Sequence, residues 1–318
     1  MNHHRYTLQK YNGPATRHRC PACKENKTFT YYIDTETNDP LHSSVGRCNR
    51  EVKCGYHFKP RDFFLTNPQV KDYASLWQIT KPVVAPLKQP SFIDKMHFDA
   101  SMKGYQHNNF ITFLTRTFGK EITGELIFRY GIGTSSHWPG ATVFWQIDTC
   151  GKLRTGKIML YNPETGKRVR QPFNHISWMH TRLNKHDFEL KQCFFGEHLL
   201  CDTQKTIGIV ESEKTAVIAS AYYPHRIWLA SGSLSNLTRQ KFEVLRGRNV
   251  VLYPDVNGFI KWYDKLNELY DIANVSINEM LEYKASDEDF KNGLDLADYL
   301  LRFDYQWFKK RAEGSLIY

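Results

Sequence analysis

From residue 206 to the C-terminus the chain alternates short apolar runs with longer mixed stretches, and this alternation restricts the fold more than any other feature. "TIGIV" precedes "SEKTAVIASAYY", "RIWLAS" precedes "SNLTRQKFEVLRG", and "NVVLYPD" precedes "GFIKWYDKLNELYDI". "VSINEML" then leads to a final helix running through "LADYLLRFDYQWFKK". Apolar runs this short read as buried strands, and the amphipathic stretches between them read as helices. Such an alternation forms a parallel sheet with helices on both faces. Ser235 is placed to cap the second helix and Gly247 to end it.

In sheets of this kind the functional crevice lies outside the carboxyl ends of the strands. Acids stand at those ends. Glu211 closes the first strand with Glu213 just beyond, and Asp255 closes the third. Asp287, Glu288, Asp289, Asp295 and Asp298 follow the fourth. Any one of them is most simply a surface residue or a favourable charge in a first helical turn. Their recurrence at successive strand ends calls for a neutralising cation. Mg²⁺, which takes one or two carboxylates and keeps waters for exchange with phosphate, suits the set.

The cysteines are concentrated at the other end of the chain. Cys20 and Cys23 stand in "CPAC", and Cys48 and Cys54 bound "CNREVKC". Two pairs of thiolates presented from tight turns close a tetrahedron around one Zn²⁺, with no open position, so the site is structural. The competing reading is four reduced cysteines in a small core. His18 or His57 could replace one cysteine, but neither is needed. The intervening "KTFTYYIDTET" alternates as a ribbon strand. Arg47, Arg50, Lys53, Lys59 and Arg61 lie with Tyr31, Tyr32, Tyr56 and Phe58 around the second pair. Cations interleaved with rings suit single-stranded nucleic acid, although a solvated basic face would look the same.

Between these ends, residues 66–92 read as a proline-containing tether. From about residue 93 the chain is helical and then forms strands "TVFWQID" and "TGKIMLYN". A turn at 149–151 joins them, and "NPETGKR" makes a second turn. This meander carries Lys152, Arg154, Lys157, Lys167, Arg168 and Arg170. Such cations either line a phosphate-binding groove or protect a sheet edge. The formal charge of +10 favours polyanionic partners. No long apolar run and no secretory signal is evident, so a cytoplasmic protein without membrane contact is expected. Cys150, Cys193 and Cys201 read as ordinary buried or half-buried residues.

With these motifs in place, the C-terminal part resembles a TOPRIM domain, the metal-binding fold shared by bacterial-type primases, topoisomerases and some nucleases. Glu211 in "VESEKTA" matches that family's Glu, and Asp255 in "LYPDVNG" matches the first acid of its D-x-D. Asp295 in "LDLADYL" matches the third acidic motif, with Asp298 as a helper. Asn257 stands where the second acid of D-x-D belongs, which removes one charge and puts two-metal catalysis in question. The order of modules resembles bacterial and phage-type primases. The wording from "FWQIDTCGKLRTGKIMLYNPETGKRVR" to "VESEKTA" resembles primase-like proteins carried on mobile elements of Bacteroides-type bacteria.

The layout implied is a zinc ribbon over 1–65, a linker over 66–92, a basic primase-like α+β segment over 93–204 and a TOPRIM-like domain over 205–318. The resemblance implies a DNA primase-type nucleotidyltransferase that makes short primers on single-stranded DNA for replication or transfer of the element. Zn²⁺ would be structural. Mg²⁺ on Glu211, Asp255, Asn257, Asp295 and Asp298 would be catalytic. Arg154 and Lys157 join the catalytic set. Arg47, Arg50, Lys53, Arg154, Lys157, Lys167, Arg168, Arg170 and Lys214 would contact template or nucleoside triphosphate. A helicase or relaxase of the same element is the implied protein partner, and no Walker motif supplies a motor within the chain. Two readings compete. One is a non-catalytic single-stranded-DNA-binding accessory protein with a degenerate TOPRIM site. The other is a TOPRIM nuclease.

Overall fold

A computed structural model of the chain describes residues 5–51, 53–67, 89–183, 187–202 and 205–314. Most of the tether, residues 68–88, lies outside the described residues. The chain divides into two compact units, Met1–Lys88 and Gln89–Tyr318.

The first unit is an antiparallel sheet in the order β1 (Tyr6–Leu8), β2 (Phe29–Asp34), β3 (Gly46–Cys48) and β4 (His57–Phe58). Its register pairs Phe29 with Cys48 and Thr30 with Arg47, and Arg47 in turn with His57. Alternation then sends Phe29 and Cys48 inward, where they form a small core with Cys20. A short helix, Pro60–Thr66, follows with proline in its first turn, where the missing N–H costs nothing.

In the second unit helices Lys95–Ser101, Asn109–Phe118 and Lys120–Tyr130 lead into an antiparallel sheet. Its strands are β5 (Ile132–Ser135), β6 (Ala141–Ile147), β7 (Leu153–Met159) and β8 (Ile176–Trp178), in that order. A parallel sheet follows, with β9 (Ile207–Val210), β10 (Ile227–Ala230), β11 (Asn249–Leu252) and β12 (Asn274–Ile277). Its order is β10-β9-β11-β12, so the direction of winding reverses at β9 and β11. That reversal opens the crevice in which ligands of such sheets bind.

Ile207, Ile209, Leu229 and Leu252 pack on one side with Phe242, Trp262 and Leu266. Val210, Trp228 and Ala230 join a second core with helix Glu213–Tyr222 and with Phe110, Leu126, Phe144 and Met159 from the preceding segment. Helix Glu213–Tyr222 is buried along its whole length, which explains its alanines: a helix enclosed on every side needs small residues. Gly208 serves the same end, since a Cβ there would lie 2.6 Å from the Trp228 ring.

The fold class expected from the sequence is the one observed, but three elements differ from the expected pattern. The helix expected over 235–247 is broken into 3-10 turns Leu234–Asn236 and Glu243–Leu245 around a short helix, Arg239–Phe242. Leu234 and Leu237 are both buried, and a three-residue spacing aligns side chains on a 3-10 turn. Thr238, not Ser235, caps the helix, accepting from the Lys241 amide. The strand expected to reach residue 281 ends at Ile277, because Asn278 accepts from the Met280 amide and turns the chain into helix Met280–Lys284. The final helix divides into Leu296–Leu300 and Tyr305–Gly314. Asp304 interrupts it by accepting from the Trp307 amide, a new helix start.

Candidate functional site

The four cysteines of the first unit converge. Their sulfurs all lie within 4.8 Å of one another, with Cys20–Cys54 at 3.8 Å and Cys23–Cys48 at 3.9 Å. Zinc–sulfur bonds of about 2.3 Å place tetrahedral sulfurs about 3.8 Å apart, so the residues fit a structural Zn²⁺. The Glu25 amide holds the Cys23 thiol down at about 7, while burial pushes Cys48 up to about 12. Neither histidine joins the set. His18 stacks on Tyr31 and meets Gln9, and His57 bonds the Tyr32 hydroxyl at 2.9 Å. Among the described residues this is the one group of three or more potential ligands drawn so close.

The basic residues of the ribbon are mostly engaged. Arg47 pairs with Glu51 at 3.8 Å and Arg50 with Glu25 at 3.2 Å, while Lys53 is exposed. Tyr31 and Tyr56 pack against the cysteine core, Phe58 meets Phe63, and Tyr32 lies parallel to His57.

At the reversal of the parallel sheet Glu211 follows β9 and Asp255 follows β11. Ser212 caps the next helix by accepting from the Thr215 amide, which fixes the turn carrying Glu211. The Val256 amide donates to the Leu294 carbonyl at 3.0 Å, bringing Asp295 beside Asp255. Asp255 Oδ1 is buried without a hydrogen-bond partner. Burial, the Glu211 carboxylate and then Asp295 push its pKa well above the ordinary range. Gly258 leaves space at the same place, since a Cβ there would stand 2.7 Å from Glu211 Oε1. A buried orphan acceptor beside a second carboxylate fits a divalent cation of the Mg²⁺ kind, which needs only one or two carboxylates.

Asp295, Asp298 and Asp289 have protein partners. Asp295 Oδ1 caps helix Leu296–Leu300 through the Asp298 amide. Its Oδ2 accepts from the Thr215 hydroxyl at 3.0 Å and faces Lys214 Nζ at 3.2 Å. Asp298 meets the same ammonium at 3.1 Å. Burial opposes the Lys214 charge, but the two carboxylates outweigh it and raise its pKa. Asp287, Glu288 and Asp289 form the first turn of helix Asp287–Asn292, where Ser286 and Asp289 cap each other's backbone. Asn257 has a positive φ of 68°, a conformation that asparagine tolerates better than most residues. Its Nδ2 donates to the Phe290 carbonyl at 2.8 Å.

The meander cations separate into two groups. Arg154 is held at 2.8 Å by Asp148, and Lys157 is buried with its ammonium 3.0 Å from both Glu213 Oε2 and the Gly232 carbonyl. Lys157 thus ties β7 to the start of helix Glu213–Tyr222. Lys167, Arg168 and Arg170 are exposed. Sequence reasoning overlooked Lys241, which is buried and donates to the Ser231 carbonyl at 3.0 Å. Burial pushes its pKa down to about 8. Nothing local marks it, because a lysine on a presumed amphipathic helix reads as solvated.

No helix among the described residues is long and apolar enough to cross a membrane. A family model described as a putative zinc beta-ribbon finger matches residues 4–69. Another, described as a domain of unknown function (DUF6371), matches residues 108–256. No curated protein sequence matches the chain. Among solved structures, the primase fragment of the bacteriophage T7 primase-helicase protein is 13% identical. The match covers 87% of this chain and 98% of that one, with a TM-score of 0.36. A DnaG primase catalytic domain bound to single-stranded DNA is 14% identical over 69% of this chain and 76% of that one, with a TM-score of 0.44. The zinc-binding and RNA polymerase domains of the Aquifex aeolicus primase are 11% identical over 96% of this chain and 85% of that one, with a TM-score of 0.37.

Proposed function

We propose that the chain is a primase-type nucleotidyltransferase, making short primers on single-stranded DNA for replication or transfer of a mobile element. The observation that carries this reading is the half-buried pair Glu211 and Asp255, which follow β9 and β11 where the parallel sheet reverses and each turn one carboxylate oxygen out of solvent. The sequence motifs around them, described above, supply the reaction class.

Glu211 and Asp255 are the residues that would hold Mg²⁺. Bound there, the ion would neutralise a nucleoside triphosphate and favour attack by a 3′-hydroxyl. The rest of the chemistry belongs to the chain's own groups. Asp295 and Asp298 hold Lys214, so a cation stands beside the acidic pair without leaving the protein. Lys157 braces Glu213 and fixes the helix start behind Glu211. Arg168, Arg170 and Lys167 are exposed and suited to phosphates of template or triphosphate. In the ribbon, Lys53 and the Tyr32–His57 pair offer charge and rings to a single strand.

One observation favours a second reading. Asn257 spends its amide on the Phe290 carbonyl, as a turn residue does, which suits a non-catalytic DNA-binding accessory protein. Incubating the purified chain with single-stranded DNA, labelled nucleoside triphosphates and Mg²⁺ separates the readings. Short template-dependent products are expected. DNA binding without products would identify the accessory protein, and loss of the template would identify a nuclease.

A further inference from the structure

The exposed cations of the meander do not stand alone. Lys167, Arg168 and Arg170 make no salt bridge among the described residues, whereas Arg47, Arg50, Arg154, Lys157 and Lys214 each face a carboxylate. The charge of Arg168 lowers the pKa of Arg170, with burial adding to the effect. The backbone holds them in place: Arg168 bridges Tyr161, and the Val169 amide donates to the Leu160 carbonyl at 3.0 Å.

Beside this strip stands a set of rings. His175 is buried, and its Nδ1 lies 3.3 Å from the Val169 carbonyl, between the two arginines in sequence. The Trp138 ring meets His175 edge-on at 5.0 Å. Phe173 stacks on His175 at 4.3 Å and 25°, leaving the phenyl ring 52% exposed. An exposed phenylalanine on a turn would ordinarily lose rotamer freedom on binding. Here one ring face is already fixed, so the open face is presented at little further entropic cost.

Burial raises the pKa of the Tyr161 phenol, Glu213 raises it further, Arg168 lowers it, and Asp295 raises it again. The Tyr161 hydroxyl itself donates to Met159 Sδ at 3.4 Å.

We infer that Phe173, backed by His175 and Trp138, is a base-stacking shelf on which an unpaired nucleotide of single-stranded DNA rests while Lys167, Arg168 and Arg170 hold its phosphates. The inference rests on the proposed function, and locates where the template meets the second unit. A duplex keeps its bases stacked on one another and gives the shelf nothing to hold, so the surface selects single strands.

The test is titration of a fluorescent twelve-nucleotide single strand with the full chain and its variants over a range of salt. Phe173→Ala should weaken binding about tenfold and leave the slope of log K against log salt unchanged, because no phosphate contact is lost. Phe173→Leu should not restore it, since the residue stays apolar but the ring is gone. Arg168→Ala should reduce the slope by about one. A strand with abasic sites, equal in charge, should bind wild type and Phe173→Ala alike. Equal binding of the normal strand by wild type and Phe173→Ala would overturn the shelf and point to a protein occupant instead. The same loss on a duplex would also overturn it. Primer synthesis by wild type, measured in parallel, identifies which reading failed: products with an indifferent Phe173 sink the shelf alone, and no DNA binding at all sinks both.

Discussion

The cysteine cluster and the acidic end of the parallel sheet both gather groups of one charge, but by different means. In the ribbon, two short stretches bring four sulfurs within 4.8 Å of one another. At the sheet, Glu211, Asp255 and Asp295 arrive from three separate elements, and the same folding brings Lys214 among them. The ribbon is closed around one ligand class. The sheet edge is partly neutralised by the protein itself, because Lys214 stands against Asp295 and Asp298. A site that must hold an ion permanently can be built from local spacing, whereas a site that trades ligands needs neighbours to limit its charge.

The contrast is most exposed at the cysteines. Structural zinc in small modules contributes about 10–16 kcal/mol of apparent binding free energy, which is folding free energy there. Cys20→Ser should lose the bound zinc and unfold the ribbon. The second unit should keep its protection, because its apolar cores are its own. Elemental analysis with hydrogen exchange checks this, and a ribbon that stays protected without zinc would reduce the cysteines to ordinary core residues.

The next effect belongs to the carboxylates. Glu211→Gln and Asp255→Asn each remove one charge with little change of shape. Either should lower primer synthesis on the order of a thousandfold by removing electrostatic stabilisation of several kcal/mol. Initial rates and calorimetric Mg²⁺ binding would show it. Unchanged rates would leave the acids architectural.

Lys241 tests whether burial or pairing governs the lysines behind the sheet edge. Its folded pKa of about 8 lies below the ordinary 10.5, so the unfolded chain binds the proton more tightly. Stability should therefore rise with pH between those values, and the cost below about pH 8 is roughly 3 kcal/mol. Lys241→Met should abolish that rise and be the more stable protein at pH 7. The Ser231 carbonyl keeps the Asn236 amide as a donor. Urea unfolding at pH 7 and pH 10 measures both effects, and a lysine variant equally sensitive to pH would shift the cause elsewhere.

The smallest effect concerns Asn257. Aspartate there restores an acid but has no donor for the Phe290 carbonyl, so Asn257→Asp should cost about 1 kcal/mol. Calorimetric Mg²⁺ affinity should not rise. A clear gain in affinity would show that the residue faces the ion after all.

Much of this was legible without coordinates, for identifiable reasons. Period-two and helical patterning placed the four strands of the parallel sheet and the two central strands of the antiparallel sheet within a few residues, because burial on a pleated or helical face dictates which positions are apolar. The spacing of Cys20, Cys23, Cys48 and Cys54 announced their convergence, since a tight turn leaves two thiols little choice of direction. Glu211 and Asp255 were readable because strand ends follow from the apolar runs before them.

Tertiary structure decided what each charge meets. Lys157 and Arg154 read as cations for template or triphosphate, yet they lie against Glu213 and Asp148. Asp295 reads as a metal ligand, yet its oxygens cap a helix and hold a hydroxyl and an ammonium. The Phe173 ring acquires a fixed open face only because His175 and Trp138 fold behind it. Sequence alone determined which segments form the parallel sheet and which thiols meet, because these depend on neighbours along the chain. Which cations stay free and which acids stay open depends on partners far apart in sequence, and only the packed sheet and its buried helix bring those together.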